Sequence, residues 1–368
     1  MSALAVRFPS RRVGPAYWQK MYPQLISDAV DRSLARIWAA PTAESSAPLF
    51  DTAAAPYMSD PFRGAKDRYF LGDDEDSRSL ELAVAREVLG AAGLEAADIG
   101  LMIVTSFLPQ NVAVGNAAWL AAQLGLRGEA FNLESACAGS VVAFQLACRL
   151  VSSGAYARVL VVTSCTYSRI VDEADTLSWS VGDGATAFVV GQTEAGSGWL
   201  GGKTMHTGQT CGVMYTGPVD SPQGPVLRMR PGLRPAAVLR ETAEPIFRAC
   251  VQGALESAGL GLDAIDFFVT TTPTAWYSKF CGQVLGYPAS KTVNLHPHIS
   301  NVGPVMVPAS LHHAASLELI KPGDRVLLYA IGSEAQASAA VVKWGEVALG
   351  PSRAITSPET GPSDPRSC

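Results

Sequence analysis

The chain has 368 residues, 48% hydrophobic and 17% charged. That is enough apolar material for a large core and rules out global disorder. With 28 Lys and Arg against 33 Asp and Glu the net charge is −5, and no basic block supports binding to nucleic acid through its phosphates. No apolar run approaches the ~18 residues of a membrane span, and the first residues lack the pattern of a secretory signal. The seven cysteines are scattered, without a Cys-x-x-Cys pair. The expectation is a cytoplasmic protein with reduced thiols and neither a membrane nor a nucleic-acid partner.

At this length two domains, or one large duplicated domain, are expected. Residues 1–80 lead in with a helix predicted over 16–38 and a Pro/Ala-rich loop over 40–62. An internal repeat begins after them. Residues 83–105 (AVAREVLGAAGLEAADIGLMIVT) and 249–271 (ACVQGALESAGLGLDAIDFFVTT) both read as an apolar helix, Ala-Gly-Leu, a short acidic turn and a buried strand ending in threonine. Gly93 pairs with Gly259, a helix C-cap position where positive φ is needed. Further on, 154–164 (GAYARVLVVTS) resembles 323–333 (GDRVLLYAIGS). The spacing of about 166 residues survives across both landmarks, which predicts two α/β halves related by a pseudo-twofold.

Within the first half, Phe131 to Phe144 reads as a strand running through a small-residue turn into an apolar helix, with Cys137 at the helix start. Unsatisfied N–H groups and the positive end of the helix dipole there would lower a thiol pKa and favour the nucleophilic thiolate. Residues alone leave a buried, inert cysteine as an equal alternative. Gly182-Asp183-Gly184-Ala185 lacks the Gly-Lys-Ser/Thr ending of a phosphate loop and reads as a strand-to-strand turn. A Gly/Pro-rich link covers 192–235. The halves are placed at 1–195 and 196–348, and a Pro/Ser/Gly-rich tail at 349–368 is expected to be disordered.

In the second half, Pro273-Thr-Ala-Trp276-Tyr277 is either the aromatic wall of a cavity or a helix N-terminus with its aromatics packed inward. His296-Pro-His298 precedes Ser300-Asn301-Val302-Gly303. Read as a strand, alternation places both histidines on one face. Cys137 maps by the 166 offset onto Gly303, so the two helix starts are expected to face one another. His206 lies in the connector and is a weaker candidate for the site; His312 and His313 read as structural. A His-x-His metal pair has no acidic or cysteine cluster beside it, so no metal is expected.

Three segments together resemble the thiolase superfamily: SACAGS around Cys137, Trp179 through Gly182-Asp183-Gly184-Ala185, and Ile331-Gly332-Ser333 followed by an Ala-rich strand and Lys343-Trp344. The branch they resemble is β-ketoacyl-ACP synthase III, over about residues 68–344. The resemblance implies a five-layered αβαβα fold from two similar halves, usually a homodimer, and a nucleophilic role for Cys137. It also implies an oxyanion hole from the backbone N–H groups of Cys137 and Ser333, and a catalytic role for Asn301. Condensing members carry a histidine where this chain has Thr271. Threonine is a weaker donor than imidazole and no base near neutral pH, which puts enolate stabilisation, and with it carbon–carbon bond formation, in doubt. Acyl transfer to oxygen or nitrogen needs only the acyl-cysteine, the oxyanion hole and a base for the acceptor.

The resemblance therefore implies an acyltransferase of secondary metabolism. Its donor is a phosphopantetheine thioester, acyl-ACP or acyl-CoA, and its acceptor a small-molecule hydroxyl or amine. The alternative is a starter-unit β-ketoacyl synthase that decarboxylates malonyl-ACP. His298 is the first candidate for the base and His296 the second. Thr271, Trp276 and Arg68 are expected to contact substrate, Arg68 with Arg63 and Lys66 meeting either the donor's phosphate or a carrier protein. The stretch Val112-Ala113-Val114-Gly115-Asn116 carries no bulky aromatic and leaves room for a larger acyl group.

Overall fold

The computed structural model describes residues 1–35, 48–194, 196–222, 224–232, 235–333 and 335–351. Most of the expected tail, and the junction between the expected first helix and loop, lie outside these residues. The lead-in carries β1 (Ala3–Arg7), β2 (Arg11–Val13), α1 (Pro15–Met21), α2 (Pro23–Ala35), α3 (Leu49–Ala54) and β3 (Arg68–Phe70). The single helix expected over 16–38 is two. Tyr22 precedes Pro23, which disfavours helical geometry at Tyr22, and its φ of −139° and ψ of 54° break the run.

The first half continues with α4 (Ser77–Ala92), β4 (Leu101–Phe107), α5 (Ala117–Leu124), β5 (Glu129–Asn132), α6 (Gly139–Ser152), β6 (Arg158–Thr166) and β7 (Asp183–Gly191). Asp76 and Ser79 form a reciprocal capping box at the start of α4, and Gly93 at φ 62° ends it. The link expected over 192–235 contains three strands among its described residues. It holds β8 (Gly198–His206) and the hairpin β9 (Met214–Val219) and β10 (Val226–Pro231). The second half follows with α7 (Pro235–Ala258), β11 (Phe267–Thr270), α8 (Tyr277–Leu285), α9 (His296–Ile299), α10 (Met306–Ser316), β12 (Arg325–Ile331), β13 (Gln336–Lys343) and β14 (Ala348–Leu349).

Two sheets carry the repeat. The first runs β14-β1-β7-β6-β4-β5 and the second β11-β12-β13-β8. Strands β4 and β11, each following the Ala-Gly-Leu turn, both pair in parallel with the next repeat strand, β6 and β12. Those in turn pair antiparallel with β7 and β13. The order β1-β7-β6-β4 is therefore matched by β8-β13-β12-β11, the duplication that the 166-residue offset predicts.

Five layers result. Helices α6 and α10 lie between the sheets in a core that joins Leu101, Ile103, Val159 and Phe144 to Phe267, Val269, Val326 and Leu328. Helix α4 covers the outer face of the first sheet. Helices α7 and α8 cover the outer face of the second, where Leu49 and Phe50 of the lead-in also pack. At the other end of the chain β14 returns to the first sheet beside β1. Among the described residues no helix is long and apolar enough to cross a membrane.

Candidate active site

Strand β5 ends where a single 3-10 turn, Ala136–Ala138, turns the chain into α6. Cys137 sits at the centre of this turn, so it stands just before the helix as expected. Ala136 takes a φ of 45°, in the left-handed region that residues with a Cβ avoid. Close packing holds the turn in place. A Cβ on Gly139 would lie 2.2 Å from Thr105 Oγ1, and a Cβ on Gly332 would lie 2.8 Å from the Ser135 carbonyl and 3.2 Å from the Ala138 nitrogen. The end of β12 is thereby pressed against the elbow, with Ser333 immediately after the contact. Thr207, just past β8, braces this turn by donating its hydroxyl to the Gly332 carbonyl at 2.8 Å and its N–H to Ala335 at 3.0 Å.

The second half repeats the arrangement. A 3-10 turn over Gly303–Val305 leads into α10 and packs against the Ala136–Ala138 turn, so the two helix starts do face each other. Ser300, just before Asn301, has a φ of 55°. Asn301 is fixed at three points: its N–H donates to Ser180, its carbonyl accepts from Gly182, and its Oδ1 accepts from Gly303 N–H at 2.9 Å. With Oδ1 engaged, the amide NH₂ is turned the other way.

Tyr167 joins the two elbows. It follows β6, is buried, and places its hydroxyl 3.5 Å from Cys137 Sγ. The same hydroxyl lies near the Asn301 side chain, which works to lower the phenol pKa. Burial, followed by the charge that Cys137 and Cys165 would carry, drives the phenol pKa well above its usual 10, so this side chain stays protonated. Cys137 departs from expectation. Its surroundings desolvate the thiol and push its pKa up; the hydrogen bond from Tyr167 works in the opposite direction, and the nearby Glu134 carboxylate raises it further. The helix start does not outweigh the loss of water, and the resting group is a thiol. Glu134 Oε1 also accepts the Ala136 N–H at 2.6 Å, bracing the strained residue.

The other predicted residues fall in several places. Thr271 is 1% exposed at the end of β11, its N–H on the Tyr329 carbonyl and its hydroxyl without a hydrogen-bond partner. The two histidines do not share a strand face. His296–Ile299 is a helical turn, and residues two apart on a helix point to opposite sides. His296 is buried with Nδ1 2.9 Å from the Thr272 carbonyl. Desolvation lowers its pKa to about 4, with Arg68 adding to the shift, so the ring is neutral and donates through Nδ1. His298 is partly buried and close enough to His313 to help lower that residue's pKa.

Arg68 is fully buried, not at a surface where a phosphate or carrier protein would meet it. Its guanidinium lies 4.5 Å from the Trp18 ring, Nε is 3.4 Å from Ser300 Oγ, and burial lowers its pKa to about 10. It supports the Asn301 elbow from behind. Arg63 folds back onto the carbonyls of Met58 and Asp60. Trp276 precedes α8, which starts at Tyr277, and lies 5.9 Å from the Tyr57 ring against the outer core. This is the inward-packed reading, although Pro273 is not in the first turn. Asp183 opens β7 and is no strand-to-strand turn residue; its carboxylate accepts the Leu71 and Ser168 N–H groups. His206 closes β8, exposed, and His312 binds the Gly350 carbonyl at 3.0 Å. In the stretch 112–116, Val112 and Val114 are exposed while Asn116 is buried on Glu81 and Ser77.

Residues 131–208 match 3-oxoacyl-[acyl-carrier-protein (ACP)] synthase III, and residues 255–344 match the C-terminal part of the same family. A β-ketoacyl-[acyl-carrier-protein] synthase III of Sinorhizobium medicae is 32% identical over 291 residues, covering 76% of this chain and 88% of that protein. The chain belongs to the β-ketoacyl-ACP synthase III family. The enzyme of the same name from Sphingopyxis alaskensis is also 32% identical, over 285 residues, with the same coverage. Among solved structures, the synthase III of Thermus thermophilus superposes with a TM-score of 0.72 at 23% identity, covering 94% of this chain and 98% of that one. OleA of Xanthomonas campestris superposes with a TM-score of 0.73 at 20% identity, covering 93% and 97%. These likenesses bear out the thiolase-type fold; the synthase III family is one of enzymes, and this chain is read as an enzyme.

Proposed function

We propose that this synthase III-family chain is an acyltransferase that takes an acyl group from a phosphopantetheine thioester onto Cys137 and passes it to a hydroxyl or amine of a small-molecule acceptor. The observation that carries the reading is the side-chain set around the paired elbows. The end of β11 holds Thr271, whose buried hydroxyl is a single weak donor, and the neutral His296 spends its N–H on the Thr272 carbonyl. A malonyl enolate needs further side-chain donors on its oxygen; the oxyanion formed on an acyl-cysteine is served by the backbone N–H groups alone.

Two steps follow. In the first, Sγ attacks the thioester carbonyl, the carbonyl oxygen settles between the N–H groups of Cys137 and Ser333, and the thiol proton leaves with the donor's sulfur. In the second, the acceptor attacks the acyl-cysteine, the C–Sγ bond breaks, and the acceptor's proton ends on Sγ. His298, more open to solvent than His296, is the base for that second step. The acyl carrier protein in the relatives' names makes acyl-ACP a natural donor alongside acyl-CoA. A homodimer fits the exposed apolar group Val112, Val114 and Phe131 beside β5, an edge strand of the first sheet.

The test is intact-mass detection of an acyl adduct after incubation with an acyl-thioester, followed by chase with alcohols and amines. The expected result is an adduct that the chase discharges, with no β-keto product from malonyl-thioester. Rapid malonyl decarboxylation would replace this reading with the condensing one, which the retained Asn301 and the relatives' names favour.

A further inference from the structure

Tyr167 is a polar side chain at the reacting sulfur that the residue pattern did not reveal. It follows β6 in a segment whose sequence, Thr166-Tyr167-Ser168, carries no motif. Its hydroxyl lies 3.5 Å from the reacting sulfur, and the Asn301 side chain is near enough to act on its pKa. The position is tightly held. Tyr167 packs with Cys165, Val302 and Val305 in one apolar cluster, and Phe107 lies 5.0 Å from its ring. A Cβ on Gly303 would meet Cys165 Sγ at 3.0 Å and the Tyr167 ring at 3.7 Å, so that glycine leaves room for the phenol beside Asn301.

The hydrogen bonds have a direction. Gly303 N–H occupies Asn301 Oδ1, so Asn301 presents its NH₂ to the phenol oxygen. A phenol that accepts there has its own hydrogen left to give, and Cys137 Sγ lies within reach. The chain therefore runs Asn301 NH₂, Tyr167 O–H, Cys137 Sγ, and donors in series polarise one another.

We propose that Tyr167 is a catalytic residue that donates a hydrogen bond to Cys137 Sγ, stabilising negative charge on sulfur when the thiol is activated and again when the acyl-cysteine breaks. The second part rests on the acyl-transfer reading. As the acceptor's oxygen or nitrogen bonds to the acyl carbon, the C–Sγ bond breaks and its electron pair remains on sulfur. Tyr167 holds that charge until the acceptor's proton reaches Sγ, and gives up no proton itself. Asn301 is thereby a positioning residue, acting through the phenol, and its NH₂ is drawn away from any enolate oxygen. This assigns the asparagine to sulfur chemistry in a site that lacks the usual histidine.

The experiment reads the thiol directly. Alkylation of Cys137 by iodoacetamide is followed against pH by peptide mass spectrometry, which separates it from exposed Cys211. Removing the hydroxyl in Tyr167→Phe is expected to move the midpoint of the Cys137 profile up by about one pH unit, a tenfold change in the ionisation constant. Fluorinated tyrosines at position 167, whose hydroxyls donate more strongly at nearly constant volume, are expected to move it down. They decide the matter if Tyr167→Phe does not fold. A profile that does not move across the fluorinated series overturns the proposal, as does a Tyr167→Phe profile that superimposes on the parent's. No acyl donor or acceptor enters this measurement, so failure of the acyl-transfer reading leaves its outcome intact. Where transfer is measured, Tyr167→Phe is expected to slow both acylation of Cys137 and discharge of the acyl-enzyme, each about tenfold; parental rates in both steps would overturn the proposal.

Discussion

The two elbows of the repeat share a backbone and differ in what they present. Each has a residue forced to positive φ, Ala136 opening its 3-10 turn and Ser300 three residues before its own, and each turn leads into a buried helix, α6 or α10. The first presents a sulfur. The second presents an amide locked by Ser180, Gly182 and Gly303. Packing between the sheets constrains backbone and small residues on both sides alike, because any added Cβ meets atoms that cannot move. The chemistry rests on a few side chains set into this packing, Thr271 being the clearest.

Removing the sulfur is the largest break in the comparison. Cys137→Ala is expected to abolish the acyl adduct and reduce transfer by about 10³-fold or more, the scale of losing a covalent nucleophile. The melting temperature should hardly change, since the side chain is partly exposed. An adduct in this variant, by intact mass, would place the nucleophile elsewhere.

Breaking the backbone contact between the halves comes next. Gly332→Ala sets a Cβ 2.8 Å from the Ser135 carbonyl and 3.1 Å from the Ala136 Cβ, where neither neighbour can yield cheaply. The Cys137 turn and the Ser333 N–H should be pushed apart, with a loss of about 10²-fold in acylation, the scale of one oxyanion donor, and a lower melting temperature. Acylation by stopped-flow at parental rate would show that Ser333 does not share the oxyanion with Cys137.

The third break falls on the second elbow. His298→Ala is expected to slow discharge of the acyl-enzyme by about 10²-fold while leaving the acylation burst in place, as loss of a general base for the acceptor does. A full-rate steady state in this variant would remove His298 from the mechanism. The base would then be sought at Glu134, whose carboxylate stands close enough to Cys137 to raise its pKa.

The repeat was the most legible feature of the sequence, because Gly93 and Gly259 end helices at φ 62° and 66° and the strand after each is buried. Cys137 was legible because small residues must crowd a strand-to-helix elbow. Connecting segments were less so. The 192–235 stretch looked like a linker because glycines dominate it, yet Gly201 and Gly202 lie in β8, where a Cβ would strike α7 or Gln145. His296 and His298 misled for a related reason: one turn of helix is too short to show a period. Arg68 looked like a surface charge, and only the fold reveals Trp18 stacked on it. Tyr167 had no local signal, since its role depends on two residues 30 and 134 positions away.

The smallest effect separates the halves by pH. Glu81, in α4, is fully buried and accepts from Ser106, Ser164 and Asn116; desolvation outweighs these bonds and raises its pKa to about 7 from 4.5. The folded state therefore keeps a proton that the unfolded chain releases first, and this contribution to stability, full below about 4.5, is lost as pH rises to about 7. His296 has the opposite sign. Its folded pKa of about 4 lies below the 6.5 of the free ring, so the unfolded state takes the proton first. Its contribution is full above 6.5 and is lost as pH falls towards 4. The two slopes oppose each other over nearly the same window, and the parent protein hides both. Relative to the parent, the stability of Glu81→Gln should climb with pH between about 4.5 and 7, and that of His296→Gln should decline between about 4 and 6.5. Each divergence should be of the order of 1–3 kcal/mol by denaturant titration. Other carboxylates, Asp183 among them, contribute to parent and variants alike and drop out of the difference. Parallel curves for Glu81→Gln and the parent would mean that the first half keeps an ionised carboxylate in its core, held by three hydrogen bonds against the cost of desolvation.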